Sequence, residues 1–306
     1  MKTNTDSLQH FIFENQHNAP MPIRGNIVHL NQTFKQILQH QTLPDVLKLA
    51  LGELMAASAL LSATLKMDGV MVLQLQSKGA LKLLVVECSH DLSMRATAKW
   101  DEKLLNEMQA VTFVELVKDG QFVITLDPRV GEAYQGIVAI EGENIAKMLQ
   151  NYMLRSQQID TSLWLHCDGE SASGMLLQKL PDLSNQPNPA EADADAWSRV
   201  NILANTVTYD ELKNLAPQAL LSRLFSEEDV RLFEPKATQF KCSCSKAKVG
   251  NMLRLLGAPE VESILAEIGK IEVNCDFCNK QYAFDALDIN HVFNDNADLI
   301  AHKTNH

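Results

Sequence analysis

Apolar and polar residues alternate with a period of two in several short runs of the first 180 residues, and each run predicts a strand with one buried face. "VMVLQLQSKGALKLLVVECS", residues 70–89, predicts two strands around a Ser77-Lys78-Gly79 turn, and "SMRATAKW" a third. "GNIVHL" precedes them as a short strand, and "TSLWLHCDGESASGMLLQKL" closes the segment as a pair around a polar turn. "VTFVELVKDGQFVITLDP" predicts a further hairpin, because Asp119-Gly120 can take the positive φ angles of a tight turn. Between these runs the period changes to that of a helix. The stretch from Leu43 to Lys66 is one long helix, and in "GENIAKMLQNYMLRSQQI" Ile145, Met148, Leu149 and Met153 share a face. The pattern is α+β: an N-terminal mixed α/β domain over residues 1–180, with antiparallel sheets and packed helices.

At "LPDLSNQPNPAEADADAW" three prolines in nine residues and then Glu191, Asp193 and Asp195 predict a loop that feeds a helix. Trp197, Val200, Leu203 and Val207 form a narrow apolar stripe. Thr208 and Glu211 have the spacing of a capping box, Pro217 breaks or kinks the helix that follows, and Ser226 is read as the cap of a short helix "EEDVRLF". Residues 181–234 carry ten acidic side chains against four basic, a local charge of −6. Stripes this thin make a helical linker of marginal stability that takes its order from neighbouring surfaces. A small cysteine-bearing domain over residues 235–291, with two short helices inside it, and a polar tail over 292–306 complete the chain. There is no internal repeat.

Composition adds exclusions. A net charge of −11 over 306 residues argues against nucleic acid or an anionic membrane as the main partner. Asp45, Lys48, Glu53 and Lys66 interrupt the most apolar stretch, which suits a buried helix and not a bilayer span. The polar N-terminus has no secretory signal pattern, so a cytoplasmic location is expected, where clustered cysteines bind metal or do redox work.

Four of the six cysteines fall in two knots, "CSC" at Cys242 and Cys244 and "CDFC" at Cys275 and Cys278. Thiolate pairs at such spacings each present two ligands from one turn, and four thiolates make a tetrahedral zinc site. Polar neighbours (Lys241, Ser243, Ser245, Asn274, Asp276, Asn279) argue against four ordinary buried cysteines. Lys241, Lys246 and Lys248 bring positive charge near the first pair, which favours thiolate there. A purely structural clamp, a redox switch, a thiol–disulfide oxidoreductase using the second knot, and a zinc-ribbon nucleic-acid binder all remain compatible with the spacing. The basic run from Lys236 to Arg254 has no interleaved aromatic beyond Phe240.

"FKCSCSKAKVGNMLRLLGAPEVESILAEIGKIEVNCDFCNKQYAFD" closely resembles the zinc-binding end of the thirty-three-kilodalton heat-shock chaperone family, the redox-regulated bacterial holdases. The likeness continues through "RGNIVHL", "GELMAASALLSATLK", "LQSKGALKLLVVE", "YQGIVAIEGENIAKMLQNYMLRSQQIDTSLWL" and "GMLLQKLP", in order over essentially the whole chain. The resemblance implies a reduced, inactive monomer that holds one Zn2+ per chain on Cys242, Cys244, Cys275 and Cys278. It implies that hypochlorous acid, or peroxide with heat, forms Cys242–Cys244 and Cys275–Cys278 disulfides and expels the zinc. The cysteine module and linker then unfold, the chain forms a homodimer, and unfolding client proteins are held without ATP. It further implies a linker that covers apolar surface of the N-terminal domain at rest. On this reading the protein is not an enzyme, and nucleic acid and membrane are not partners. No phosphate-binding G-x4-G-K-[ST] motif occurs.

The remaining candidates have plainer readings. Cys88 and Cys167 lie in strand-like runs and are expected to be buried thiols. Asp127 and Arg129 are turn residues, "GEN" is an ordinary helix start, His291 belongs to the surface, and the other histidines form no catalytic constellation.

Overall fold

The computed structural model describes residues 6–15, 19–108, 111–181 and 195–294. These separate into two compact units that meet at the 241/242 peptide bond.

In the first unit β1 (Ser7–Glu14) and β2 (Pro20–Leu30) lead into α1 (Gln32–Leu38) and the long α2 (Asp45–Ser62). Then come β3 (Gly69–Gln76), β4 (Leu81–Ser89), β5 (Ser93–Trp100), α3 (Glu102–Glu107), α4 (Phe113–Leu116), β6 (Gln121–Pro128) and β7 (Tyr134–Ala139). α5 (Ile145–Gln157), β8 (Thr161–Cys167) and β9 (Ala172–Lys179) follow, and after them α6 (Ala196–Ala204), α7 (Tyr209–Asn214) and α8 (Pro217–Leu224). The unit ends in β10 (Asp229–Leu232), β11 (Lys236–Ala237) and β12 (Gln239–Phe240). One sheet has the order β10-β1-β2-β9-β8, with β11 also on β1; the other has the order β12-β5-β4-β3-β6-β7. All pairings within the first sheet are antiparallel, and in the second only β12–β5 is parallel.

α2 packs against strands of both sheets. Thirteen of its eighteen residues are buried, so it is apolar nearly all round, as a central helix must be. Its Gly52 is required by close approach: a Cβ there would stand 2.3 Å from the sulfur of Cys167 on β8. On α5 the four expected residues Ile145, Met148, Leu149 and Met153 are all buried.

The first sheet is covered on both faces. Leu8, Val28, Leu30 and Leu176 point into the core built around α2, whereas Phe11, Phe13, Ile23, Ile27, Met175 and Leu177 point the other way. This second face is covered by Ala196, Val200 and Ala204 of α6, Leu212 of α7, and Leu220, Leu221, Leu224 and Phe225 from α8 and its end. Trp197, Leu203 and Val207 pack at the margin of that core, half-buried.

Two elements differ from the sequence pattern. Residues 113–116 are helical and not the first limb of a hairpin, because Thr112 caps the turn by accepting from the Glu115 N–H; Asp119 does take a positive φ of 52°, and β6 pairs instead with β3 and β7. "EEDVRLF" contains the strand β10 and not a helix. Val230 and Leu232 obey a period of two, and the exposed edge of β1 supplies the ladder that decides between the patterns. β1 and β7 are strands beyond those the sequence pattern predicts. The capping box at Thr208–Glu211 is present, and Pro217 opens α8 as its first residue, which separates it from α7. The proline-rich loop lies almost wholly outside the described residues, as does most of the tail.

Residues 236–240 belong to the first unit. β11 pairs with β1, β12 pairs with β5, and between them Thr238 is buried, its hydroxyl 3.2 Å from that of Thr33 and its N–H donating to the carbonyl of Asp6.

The second unit holds α9 (Lys246–Leu256), α10 (Ala258–Ile268), the hairpin of β13 (Ile271–Asn274) and β14 (Gln281–Phe284), and α11 (Ala286–Asn294). Its core is small: among the described residues Leu253, Val261, Ile271, Tyr282, Phe284 and Ile289 are the buried apolar ones. Gly257, between the two helices, has φ of +90°, a conformation that favours glycine.

Candidate metal centre

The two cysteine knots meet inside the second unit. Cys242 and Cys244 lie just before α9, whose N-cap Ser245 accepts from the Lys248 N–H. Cys275 and Cys278 form the turn of the β13–β14 hairpin, with Asn279 at φ +54° and the Cys275 N–H donating to Lys280 O. The four sulfurs lie within 4.8 Å of one another. Two close pairs run across the knots: Cys242 to Cys275 at 3.7 Å and Cys244 to Cys278 at 3.4 Å. All four side chains are half-buried. They are the only such cluster of cysteine, histidine and carboxylate ligands among the described residues.

Tyr282 joins the cluster without any motif in the sequence that marks it. From β14 its hydroxyl donates to Cys244 Sγ at 3.1 Å. Burial pushes the Cys244 thiol up, but Tyr282 and the neighbouring thiols outweigh it and bring it down to about 7. Burial and the adjacent sulfurs push Cys278 up to about 12. The hydrogen bond to Cys244 likewise raises the Tyr282 phenol to about 12. Four thiols at this spacing cannot all ionise unaided, because each thiolate opposes the next; a bound dication removes that opposition. The lysines contribute less than their sequence position suggested. Lys246 is engaged by Asp288 at 2.6 Å, and Lys248 donates to Ser243 Oγ at 3.2 Å. The only sequence signal for Tyr282 is its place in the strand that follows the second knot.

The other two cysteines are apart from this cluster. Cys88 is fully buried on β4, and Cys167 is buried on β8 near the backbone carbonyl of Lys48; burial pushes both thiols up to about 12. They are poor metal ligands and poor nucleophiles. His291 is exposed on α11, and Arg129 forms an ion pair with Asp68 at 3.3 Å. Asn144 caps α5 by accepting from the Lys147 N–H. The second knot joins two strands of a hairpin and does not open a helix, unlike a thioredoxin-type dithiol.

The helices over the first sheet are held by polar contacts as well as by their apolar stripes. His29 on β2 is buried with Nε2 2.9 Å from the carbonyl oxygen of Leu212. Lys213 is paired with Asp168, and the rings of His166 and Tyr209 stack at 5.0 Å. Burial alone would raise the Asp168 carboxyl, but Lys213 and the N–H groups of Glu170 and Ser171 hold it well below the usual carboxylate range. Arg199 of α6 is paired with Glu228 at 2.5 Å. Among the described residues, no helix is long and apolar enough to cross a membrane.

Comparison with known proteins places this arrangement in context. The family model described as Hsp33 protein matches residues 6–285. A 33 kDa chaperonin of Methylobacillus flagellatus is 55% identical over 291 residues, 94% of each chain. That of Chromobacterium violaceum is 44% identical over 304 residues, 98% of each chain. The crystal structure of a 33 kDa chaperonin from Thermotoga maritima superposes with a TM-score of 0.76, covering 95% of this chain and 99% of that one. At 19% identity this last match speaks for the fold.

Proposed function

Because the chain belongs to the Hsp33 family, we propose that it is a redox-regulated, ATP-independent holdase that binds unfolding client proteins under oxidative stress. The observation that carries the redox part is the convergence of four thiols within 4.8 Å in a unit with only a small core. A tetrahedral zinc–thiolate site has sulfurs about 3.8 Å apart, from bonds of about 2.3 Å. The pairs at 3.4 and 3.7 Å suit it. Cys242, Cys244, Cys275 and Cys278 would hold one Zn2+ in the reduced monomer. In zinc-finger peptides such binding contributes on the order of 10–16 kcal/mol of folding free energy.

Activation follows from exchanging that clamp for local bridges. Each thiolate pair gives two electrons to hypochlorous acid or peroxide, which are reduced to chloride or water, and a disulfide forms in each knot. Cys242–Cys244 and Cys275–Cys278 close loops of only a few residues, so they constrain little. The long-range tie between residues 242 and 278 is lost, the module unfolds, and the linker leaves the first sheet. Phe11, Phe13, Ile23, Ile27, Met175 and Leu177 then become an apolar surface for clients, and two chains associate. The cytoplasm is the compartment in which such a switch rests reduced.

Zinc release, thiol loss and linker proteolysis measured together during oxidation test this. The reduced protein should leave a thermally unfolding client to aggregate, and the oxidised protein should keep it soluble. Disulfide mapping should find the pairs within the knots. Bridges across them, Cys242–Cys275 and Cys244–Cys278, would keep the long-range tie and overturn the release. Equal protection by both redox forms would overturn the switch itself.

A further inference from the structure

The outer edge of β1 is occupied by a short strand from the linker. β10 lies antiparallel on it with Phe11 opposite Leu232, Ile12 opposite Arg231, Phe13 opposite Val230 and Glu14 opposite Asp229. Val230 and Leu232 pack at the margin of the core shared by the sheet and the linker helices, and Phe225 stacks edge-on against Phe13 at 5.0 Å. The strand and those helices therefore share one apolar core.

β10 is a poor match for the edge it covers. It has only four residues, two of them exposed, and it places Asp229 directly opposite Glu14, where like charges repel. Glu14 is nearly buried, its side chain 12% exposed. Arg231 Nε is 3.2 Å from Glu14 Oε1, yet that oxygen receives no hydrogen bond of good geometry. Beneath the strand, β1 ("SLQHFIFE") has neither lysine nor proline, the residues that usually protect an edge from pairing with another chain.

We infer that the β1 edge is a strand-addition site for extended client segments, and that β10 is its built-in occupant at rest. The inference rests on the chaperone reading above, in which the linker leaves. The occupant is specified by what β10 does well and badly. It should alternate two apolar residues, to cover Phe13 and Phe11, with a basic residue opposite Glu14 in place of Asp229 and another kept opposite Ile12, where Arg231 stands. Main-chain hydrogen bonds to β1 would supply the sequence tolerance, and Glu14 the preference for cationic segments.

The test uses the full-length protein and a labelled peptide in which valine and leucine alternate with arginine. Two companions are the same peptide N-methylated at its central arginine and one with glutamates for the arginines. The oxidised protein should bind the parent about tenfold or more tightly than either companion, as expected when an edge hydrogen bond is removed or Glu14 meets a like charge. The parent should slow amide exchange in β1, the reduced protein should bind it weakly, and Glu14→Gln should erase the charge preference alone. Equal binding of the parent and the N-methylated peptide overturns the inference, as does equal binding by the two redox forms. Client aggregation is followed on the same preparations. If the oxidised protein protects the client while N-methylation has no effect, only the edge site falls. If the oxidised protein protects nothing, the chaperone reading falls and the edge site with it.

Discussion

His29 is 5% exposed and meets the linker through the Leu212 carbonyl. Desolvation lowers its pKa, against smaller raising effects from that hydrogen bond and from Asp6. The docked state therefore binds fewer protons than the undocked one, in which the imidazole titrates near 6.5. Docking is at full strength above that pH and weakens as pH falls below it. Trypsin cleavage at Arg199, Lys213 and Arg223 should be faster at pH 5.5 than at pH 7.5 in the reduced protein, and His29→Gln should flatten the difference. Glu53 on α2 has the opposite sign. Burial raises its carboxyl to about 7, so it opposes folding increasingly as pH rises from the ordinary carboxylate value through 7. Glu53→Gln should raise the melting temperature at pH 8, by up to about 3 kcal/mol of stability, and change little at pH 4. A pH-independent effect would show that Glu53 is not the titrating group. Neither role was legible in the sequence: His29 sits in an ordinary strand run, and only the arrival of Leu212, 183 residues away, gives it a partner.

The linker elements are held by a core to which, among the described residues, they supply eight of the fourteen buried side chains. Leu220 of α8 is fully buried in it. Leu220→Ala should cost about 2–5 kcal/mol there. Because that loss falls on docking, cleavage between residues 195 and 234 should quicken and less oxidant should be needed for client protection, while metal content stays the same. Unchanged cleavage would place the stability of these helices elsewhere. Their stripes were readable from Trp197, Val200 and Leu203, and the capping box from Thr208 and Glu211, because caps and helical faces are local. "EEDVRLF" departs from its local pattern for the converse reason. An edge strand draws its hydrogen bonds from a partner far away in sequence, and without β1 in view a four-residue period of two competes badly with a plausible cap. The limb at 113–116 failed the other way, when the local cap at Thr112 won over β-branched composition.

At the scale of the whole molecule, a large first unit with two sheets and a central helix contrasts with a second unit whose core, among the described residues, is six buried apolar side chains. The second should depend on metal and the first should not. A strong chelator under reducing conditions should abolish the secondary structure of residues 242–294 and leave the strands of the first unit protected in amide exchange. Cys88→Ser and Cys167→Ser should keep metal near one per chain, since neither sulfur is in the cluster. Loss of metal in either variant would contradict that assignment. By itself the sequence determined the α+β class, the long central helix, the four thiols and the family they indicate. Each of these is written in spacing along the chain: a period of two or 3.6, or two ligands within one turn. Only the tertiary structure decided that Tyr282 donates to Cys244 and that sulfurs from the two knots come within 3.4 and 3.7 Å of each other. It alone showed that residues 236–240 join the sheets of the first unit, and that the linker ends as a strand on β1. Those are contacts between residues distant in sequence, and their partners are chosen by which surfaces and edges the folded chain leaves open.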